Sequence, residues 1–216
     1  GINFAPLLDG RSLTRHPFYP DAPAQSAHIP MIIGNTREET LAFMGNDPAN
    51  AGLTWESLPA RLTPEVMRID IAPEMVIAGY RRMKPDWTPD QVLIGATTAG
   101  RSWRGAVIEA QERAEQGAPT WAYQLDLPAR LRNGRSGAFH TADIALVFDN
   151  VARAEAHGLG AQRVSDVMAD AFIALARNGN PNHAGAVAWP RATSDGDGDG
   201  DALIEFTAQG AQVRHA

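Results

Sequence analysis

The sequence predicts an α/β fold in which a mostly parallel sheet is flanked by helices. Residues 29–34 form a nearly continuous apolar run, which is typical of a strand buried on both faces of a parallel sheet. Residues 120–127 alternate large apolar with smaller or polar residues, and several helical patterns separate the two strands. Two strands are too few for a sheet, so we expect the remaining strands upstream of Gly1.

Turn-forming residues dominate the first 28 positions and predict a surface connection that leads into the strand at residues 29–34. Residues 40–44 then predict a short helix that ends at Gly45. Residues 47–70 are interpreted as a loop with short helical pieces, because their apolar residues recur at spacings of three and four.

Helix signals are clear in the middle of the chain. Pro73 suits the first turn of a helix that runs to about residue 83. Thr88 and Gln91 form a capping box around Pro89, which predicts a helix to about residue 96. A separate long helix is predicted over residues 99–116, where Gly117 ends it.

The second half of the chain supplies one more long helix. Residues 128–134 are the exit loop of the strand at 120–127. The helix is predicted over residues 159–177, with Gly179 and Pro181 as its stop signal. Residues 201–206 and 211–214 predict a small terminal hairpin.

Composition excludes several classes of function. The 216 residues suit one domain, which we place at residues 1–216, and 44% of them are hydrophobic. The net charge is −6 and no basic patch stands out, which argues against a nucleic-acid partner. No apolar run reaches the roughly 18 residues that a bilayer requires, so no membrane association is expected. The absence of cysteine excludes a thiolate nucleophile and is typical of a cytoplasmic protein.

The strongest functional signal is a histidine on a glycine-containing turn. Residues 136–148 place His140 between Gly137 and an apolar run. This arrangement predicts a fixed backbone and an exposed imidazole, as a general base requires. Far upstream, the predicted strand at residues 29–34 leads into a turn that carries Glu38 and Glu39. A strand-end carboxylate followed much later by a turn-borne histidine is the second half of the order serine, acid, histidine.

Four motifs occur in order along the chain. They are PLLDGRSL at residues 6–13, GNTREE at 34–39, GAFH at 137–140, and ARNGNPN at 176–182 followed by WP at 189–190. Together they resemble the C-terminal part of a type-B carboxylesterase, a member of the cholinesterase-like branch of the α/β-hydrolases. The resemblance covers nearly the whole chain and implies hydrolysis of small-molecule carboxylic esters without a cofactor or metal.

The resemblance also implies site residues. It places the orienting carboxylate of a Ser-His-Glu triad at Glu39 and the base at His140. Glu38 competes for the acid role. The alternative is that neither glutamate acts in catalysis, because acids at a helix start are favoured by the dipole alone. Thr40 and Thr141 stand where many relatives have glycine. Asp143 is expected to cap the start of a helix, with a supporting role at the site as the alternative.

The nucleophile of such a triad is missing from the sequence. A nucleophile elbow reads G-x-S-x-G, and only the first half occurs, around Ser12 and Ser102. We therefore expect the serine on an upstream segment of the same enzyme, and the chain alone to be inactive. The alternative is a non-catalytic, cholinesterase-like module for binding or adhesion. The presence of both Glu39 and His140 favours the enzyme, because adhesion requires neither.

A run of alternating aspartate and glycine at residues 195–201 resembles the start of a calcium loop. The twelfth position of such a loop should be a bidentate glutamate, but Phe206 stands there. We therefore interpret the run as a solvated loop that binds no metal.

Overall fold

The computed structural model describes residues 6–153, 158, 160–194 and 202–215. A four-stranded sheet lies at its centre, with strands in the order β1-β2-β5-β6, and a two-stranded ribbon of β3 and β4 lies apart from it. β1, β2 and β5 run parallel, while β6 is antiparallel to β5. The predicted α/β class with a mostly parallel sheet is confirmed. The strands are β1 Met31–Thr36, β2 Thr120–Leu125, β3 Ala129–Arg130, β4 Ser136–Gly137, β5 Ala202–Thr207 and β6 Gly210–His215.

The predicted terminal hairpin is confirmed, since β5 and β6 pair antiparallel, but it also joins the main sheet, which the sequence did not predict. β5 pairs with β2 in parallel, with Tyr123 opposite Ile204 and Leu125 opposite Phe206. Residues 202–206 are buried throughout, because β5 lies between β2 and β6. The described residues therefore build four strands of one sheet by themselves.

Eight α-helices surround the sheet within the described residues. The capping box is confirmed, since Gln91 N donates to Thr88 Oγ1 at 3.3 Å and Thr88 N donates to Gln91 Oε1 at 2.9 Å. The helices are α1 Leu41–Met44, α2 Leu58–Arg61, α3 Pro64–Met67, α4 Pro73–Met83, α5 Pro89–Thr98, α6 Arg104–Glu115, α7 Ile144–Val147 and α8 Ala161–Asn178.

The predicted break between two helices near residue 97 is absent. A π-helical turn, Ala99–Trp103, joins α5 directly to α6. Gly100 lies in this turn, where a β-carbon would collide with the carbonyl oxygen of Met67 in α3. The π-helical turn thus allows the backbone of α3 to lie very close to Gly100. Local helix signals in the sequence do not reveal this tertiary contact.

Other bounds differ from the predictions by small shifts. β1 begins two residues later than expected and β2 ends two residues earlier. The exit loop at residues 128–134 contains β3, which pairs with β4. α8 lies between Gly160 and Gly179, both in the left-handed region with φ of 87° and 70°. Shifts of this size are normal where only terminal hydrogen bonds define an end.

The sheet is covered on both faces. On one face, α8 contributes Val164 and Met168 to a core with Tyr123 and Phe206. On the other, α6 packs small residues such as Ala110 against Ile33 of β1. A second cluster joins α2, α3, α4 and α5 beside the sheet. Among the described residues, none of the helices combines the length and the hydrophobicity that a membrane-spanning helix requires.

Replacement of Gly34 by alanine should destabilise the fold. A β-carbon at Gly34 in β1 would lie within 2.5 Å of both the ring and the carbonyl oxygen of Tyr123 in the neighbouring strand β2. We expect a loss of about 1–3 kcal/mol in the free energy of unfolding, measured by urea denaturation.

Gly79 provides the matched control. It lies within α4 and a β-carbon there would meet nothing within 4 Å. Gly79→Ala should therefore raise the free energy of unfolding by up to about 1 kcal/mol. Equal effects of the two substitutions would show that space around Gly34 is not limiting.

Candidate active site

The acid turn, which we define as residues 37–40, follows β1 directly. Met31 N donates to Pro119 O and Arg37 N to Leu125 O, both at 2.9 Å, so alternate amides of β1 face β2. The amide of Thr36 faces the opposite edge, where it donates to Glu39 Oε1 at 2.8 Å. One carboxylate oxygen of Glu39 is therefore held by the end of the strand that precedes it.

The histidine turn, which we define as residues 137–140, is joined to the acid turn by backbone hydrogen bonds. Glu38 N donates to Ala138 O at 2.9 Å, and His140 N donates to Glu39 O at 3.3 Å. Glu38 and Phe139 form an isolated parallel bridge. The acid turn therefore pairs with the histidine turn just beyond the end of β1.

The side chains of Glu39 and His140 are in direct contact, as the sequence led us to expect. His140 Nδ1 lies 2.7 Å from Glu39 Oε2, and the side chains are 52% and 14% exposed, respectively. An ionised carboxylate only accepts hydrogen bonds, so this contact places the proton on Nδ1. Nε2 then has a lone pair available to accept a proton from a substrate or nucleophile.

Glu38 has a different environment from Glu39. Its Oε2 accepts a hydrogen bond from Ala138 N at 2.9 Å. Burial raises the pKa of Glu38, and the charge of Asp126 adds to this, while Ala138 N–H, Arg37 and Arg135 act in the opposite direction. Of the two carboxylates weighed for the acid role, Glu39 is therefore the one that touches the imidazole.

Tyr123, which is buried, and Asp143, which is half-buried, form a pair next to the site. Tyr123 Oη donates to Asp143 Oδ2 at 2.7 Å. Burial raises the pKa of Tyr123 above its usual value, and the charge of Asp143, their hydrogen bond and the charge of Glu39 raise it further. Asp143 makes no capping hydrogen bond at the start of α7, so its expected capping role was wrong. It ties the turn after His140 to the centre of β2 instead.

Two further contacts were not predicted from the sequence. The ring of Phe43, which is 57% exposed, lies 5.3 Å from the imidazole of His140 between centroids. Phe43 is four residues after Glu39, so α1 turns it back toward the site. Thr40 is buried, and its hydroxyl bonds Ile94 O at 3.1 Å and Thr97 Oγ1 at 2.7 Å, which fixes the acid turn to α5.

A serine partner for His140 is not present among the described residues, where the imidazole hydrogen-bonds Glu39 only. Ser102 lies in the π turn and Ser136 is an exposed residue of β4. No cluster of potential metal ligands occurs within the described ranges. The acidic run at residues 195–201 lies outside the described residues.

Comparison with known proteins identifies the family. Residues 1–213 match the sequence model described as the carboxylesterase family. The chain belongs to the carboxylesterase family. It is 30% identical over 193 residues to para-nitrobenzyl esterase of Bacillus subtilis and 24% identical over 219 residues to phenmedipham hydrolase of Pseudarthrobacter oxydans.

Solved structures of carboxylesterases share the fold. The carboxylesterase EST55 of Geobacillus stearothermophilus superposes with a TM-score of 0.77 at 26% identity, over 99% of this chain and 42% of that one. The matches to phenmedipham hydrolase and para-nitrobenzyl esterase include 98% and 87% of this chain, but only 42% and 37% of the two relatives. The chain therefore spans about two fifths of the length of these relatives.

Thr141 has an unfavourable backbone conformation, and glycine should relieve it. Its φ is 74°, in the left-handed region, although threonine is β-branched and exposed here. That conformation costs a non-glycine residue about 1–2 kcal/mol, while glycine costs about 0.5–1 kcal/mol in lost chain entropy. We expect Thr141→Gly to raise the free energy of unfolding by about 0.5–1 kcal/mol, the difference between these terms.

Ala145 in α7 is the control for this substitution, since it lies in the same segment with helical geometry. Ala145→Gly should lower the free energy of unfolding by about 1 kcal/mol. If Thr141→Gly is as destabilising as Ala145→Gly in the same chemical denaturation experiment, the strain at Thr141 is not a significant energy term.

Proposed function

We propose that this protein is a serine carboxylesterase that hydrolyses carboxylic esters through a Ser-His-Glu triad. The chain supplies Glu39 as the orienting carboxylate and His140 as the base, and the nucleophilic serine lies on a segment outside it. The 2.7 Å contact between His140 Nδ1 and Glu39 Oε2 carries this proposal, together with membership of the carboxylesterase family.

Each reaction step assigns a definite task to His140. As the serine oxygen attacks the ester carbonyl, His140 Nε2 accepts the serine proton. When the tetrahedral intermediate collapses, His140 returns this proton to the leaving alkoxide, and the alcohol departs from an acyl-serine. A water molecule then attacks the acyl-serine, losing its proton to His140, and the carboxylic acid is released as His140 reprotonates the serine.

Glu39 acts through His140 and not on the ester. Its hydrogen bond to Nδ1 holds the tautomer in which Nε2 is unprotonated, and its charge stabilises the imidazolium formed in each step. The bond from Thr36 N to the other carboxylate oxygen keeps Glu39 from rotating away. Half of the imidazole is exposed, as is needed for a group that must reach a nucleophile and a substrate.

The free edge of β1 is where we propose that the nucleophile segment binds. Within the described residues no strand pairs with this edge, and alternation directs the amides of Ile32 and Gly34 toward it. The buried side chains of Asn35 and Thr36 also have polar atoms without a partner in the described part of the chain. A parallel strand added here would end beside Glu39 and His140, because carboxyl ends of parallel strands share one edge.

The ester substrates are proposed to carry small acid or alcohol groups, such as short-chain nitrophenyl esters. Two relatives are named as a para-nitrobenzyl esterase and a phenmedipham hydrolase, which motivates aromatic leaving groups as first probes.

Variants of the intact enzyme test the triad assignment. His140→Ala should lower kcat for a short-chain nitrophenyl ester by about 10^4-fold to 10^6-fold with little change in KM, because no other base replaces it. Glu39→Gln should cost less, since His140 Nε2 can still accept a proton without its orienting partner. His16→Ala is the control, because His16 is an exposed residue of the N-terminal connection and should have no effect.

Substantial hydrolysis by His140→Ala would contradict the assignment. Absence of any hydrolysis by the intact protein, with ligand binding intact, would favour the alternative of a non-catalytic binding module.

A further inference from the structure

Glu38 has no task in the proposed chemistry, yet it makes two bonds to the histidine turn. Its amide donates to Ala138 O and its carboxylate accepts from Ala138 N, both at 2.9 Å. Ala138 lies two residues before His140. Glu38 alone therefore satisfies both the N–H group and the carbonyl oxygen of Ala138.

Gly137 makes room for this carboxylate. A β-carbon at Gly137 would lie 2.6 Å from Leu41 Cδ2 and closer still to Glu38 Oε2. Gly137 has no positive φ, so conformational freedom is not the reason for glycine at this position. The backbone of Gly137 and Ala138 and the side chain of Glu38 are therefore in complementary contact.

The environment of Glu38 disfavours the ionised form of its carboxyl group. Its pKa is raised chiefly by burial, and it faces Asp126 as well as Arg37 and Arg135. A carboxylate in this setting is a poor contributor to stability by itself. The hydrogen bond from the Ala138 amide to this carboxyl oxygen is directional, however, so it restricts the geometry of the turn.

We propose that Glu38 is a positioning residue for His140. Its carboxylate clamps Ala138 so that the turn at residues 137–140 keeps Nδ1 of His140 on Glu39 and Nε2 directed outward. This inference rests on the proposed function, in which His140 is the base. A displacement of a catalytic group by about 1 Å can cost on the order of 10²-fold in rate, so the clamp matters even though it touches no substrate.

Three single substitutions and one double substitution in the intact enzyme test the clamp. Glu38→Ala removes the acceptor and should lower kcat by about 10-fold to 10²-fold while KM changes little. Glu38→Gln should restore most of the lost kcat, because its side-chain oxygen still accepts from Ala138 N. Gly137→Ala should also lower kcat, because its methyl group displaces the carboxylate.

The double variant separates the clamp from general damage. In Glu38→Ala, the oxygen that the new methyl group would strike is absent, while the close contact with Leu41 Cδ2 is the same in both backgrounds. Gly137→Ala should therefore cost less kcat in that background than in the wild type, which is a non-additive result. Glu74→Ala is the matched control, since Glu74 is an exposed acid in the first turn of α4 and should leave kcat unchanged.

A readout independent of turnover keeps the two proposals distinguishable. The NMR signal of the His140 Nδ1 proton should be sharp in the wild type and Glu38→Gln, and broadened or lost in Glu38→Ala. Unchanged kcat and an unchanged Nδ1 signal in Glu38→Ala would overturn the clamp and leave the triad intact. A loss confined to KM, or no rescue by Glu38→Gln, would also overturn it. Activity that survives His140→Ala would instead defeat the proposed function.

Discussion

The site depends on one junction between two turns that lie about a hundred residues apart in the chain. We define the turn junction as residues 38–39 with residues 138–140. Two backbone bonds join Glu38 to Ala138 and Glu39 to His140, and the carboxylates of the same two glutamates add one bond each. A net hydrogen bond contributes only about 1 kcal/mol, so the junction matters more for geometry than for stability.

The sheet brings the two halves of the junction together. β1 and β2 are parallel neighbours, so their carboxyl ends meet at one edge, and the acid turn leaves one strand as the histidine segment leaves the other. Further contacts fix the segment on both sides of His140. Arg135 forms an ion pair with Asp90 at the start of α5, and Asp143 accepts from Tyr123 in β2. The histidine therefore lies on a turn that is held before and after it, as a positioned base requires.

Local signals in the sequence predicted local structure well. The capping box at Thr88 and Gln91 involves residues three apart, and its geometry is as expected. The glycine stop of α8 at Gly179 is equally local. The contact of Glu39 with His140 is long-range, and it was expected from the order of acid and histidine along the chain and from the resemblance of four motifs to a known family.

Three of the features that the sequence did not predict depend on contacts between residues far apart in the chain. The place of β5 beside β2 depends on a register between residues about 80 apart, which the pattern of one strand does not encode. The π turn reflects the close approach of Met67 to Gly100. The position of Asp143 before an apolar run predicted a helix cap, but its hydrogen-bond partner Tyr123 lies in a buried strand 20 residues away. In each case tertiary contact overrode a plausible local interpretation.

The central claim is that Glu39 acts on the reaction only through His140, and a double-mutant cycle on kcat/KM of the intact enzyme tests it most directly. Residues that function as a unit give strongly non-additive losses. If the claim is correct, Glu39→Gln will lower kcat/KM in the wild type but will have almost no further effect in His140→Ala. If the two losses multiply instead, Glu39 and His140 act independently and the account is wrong.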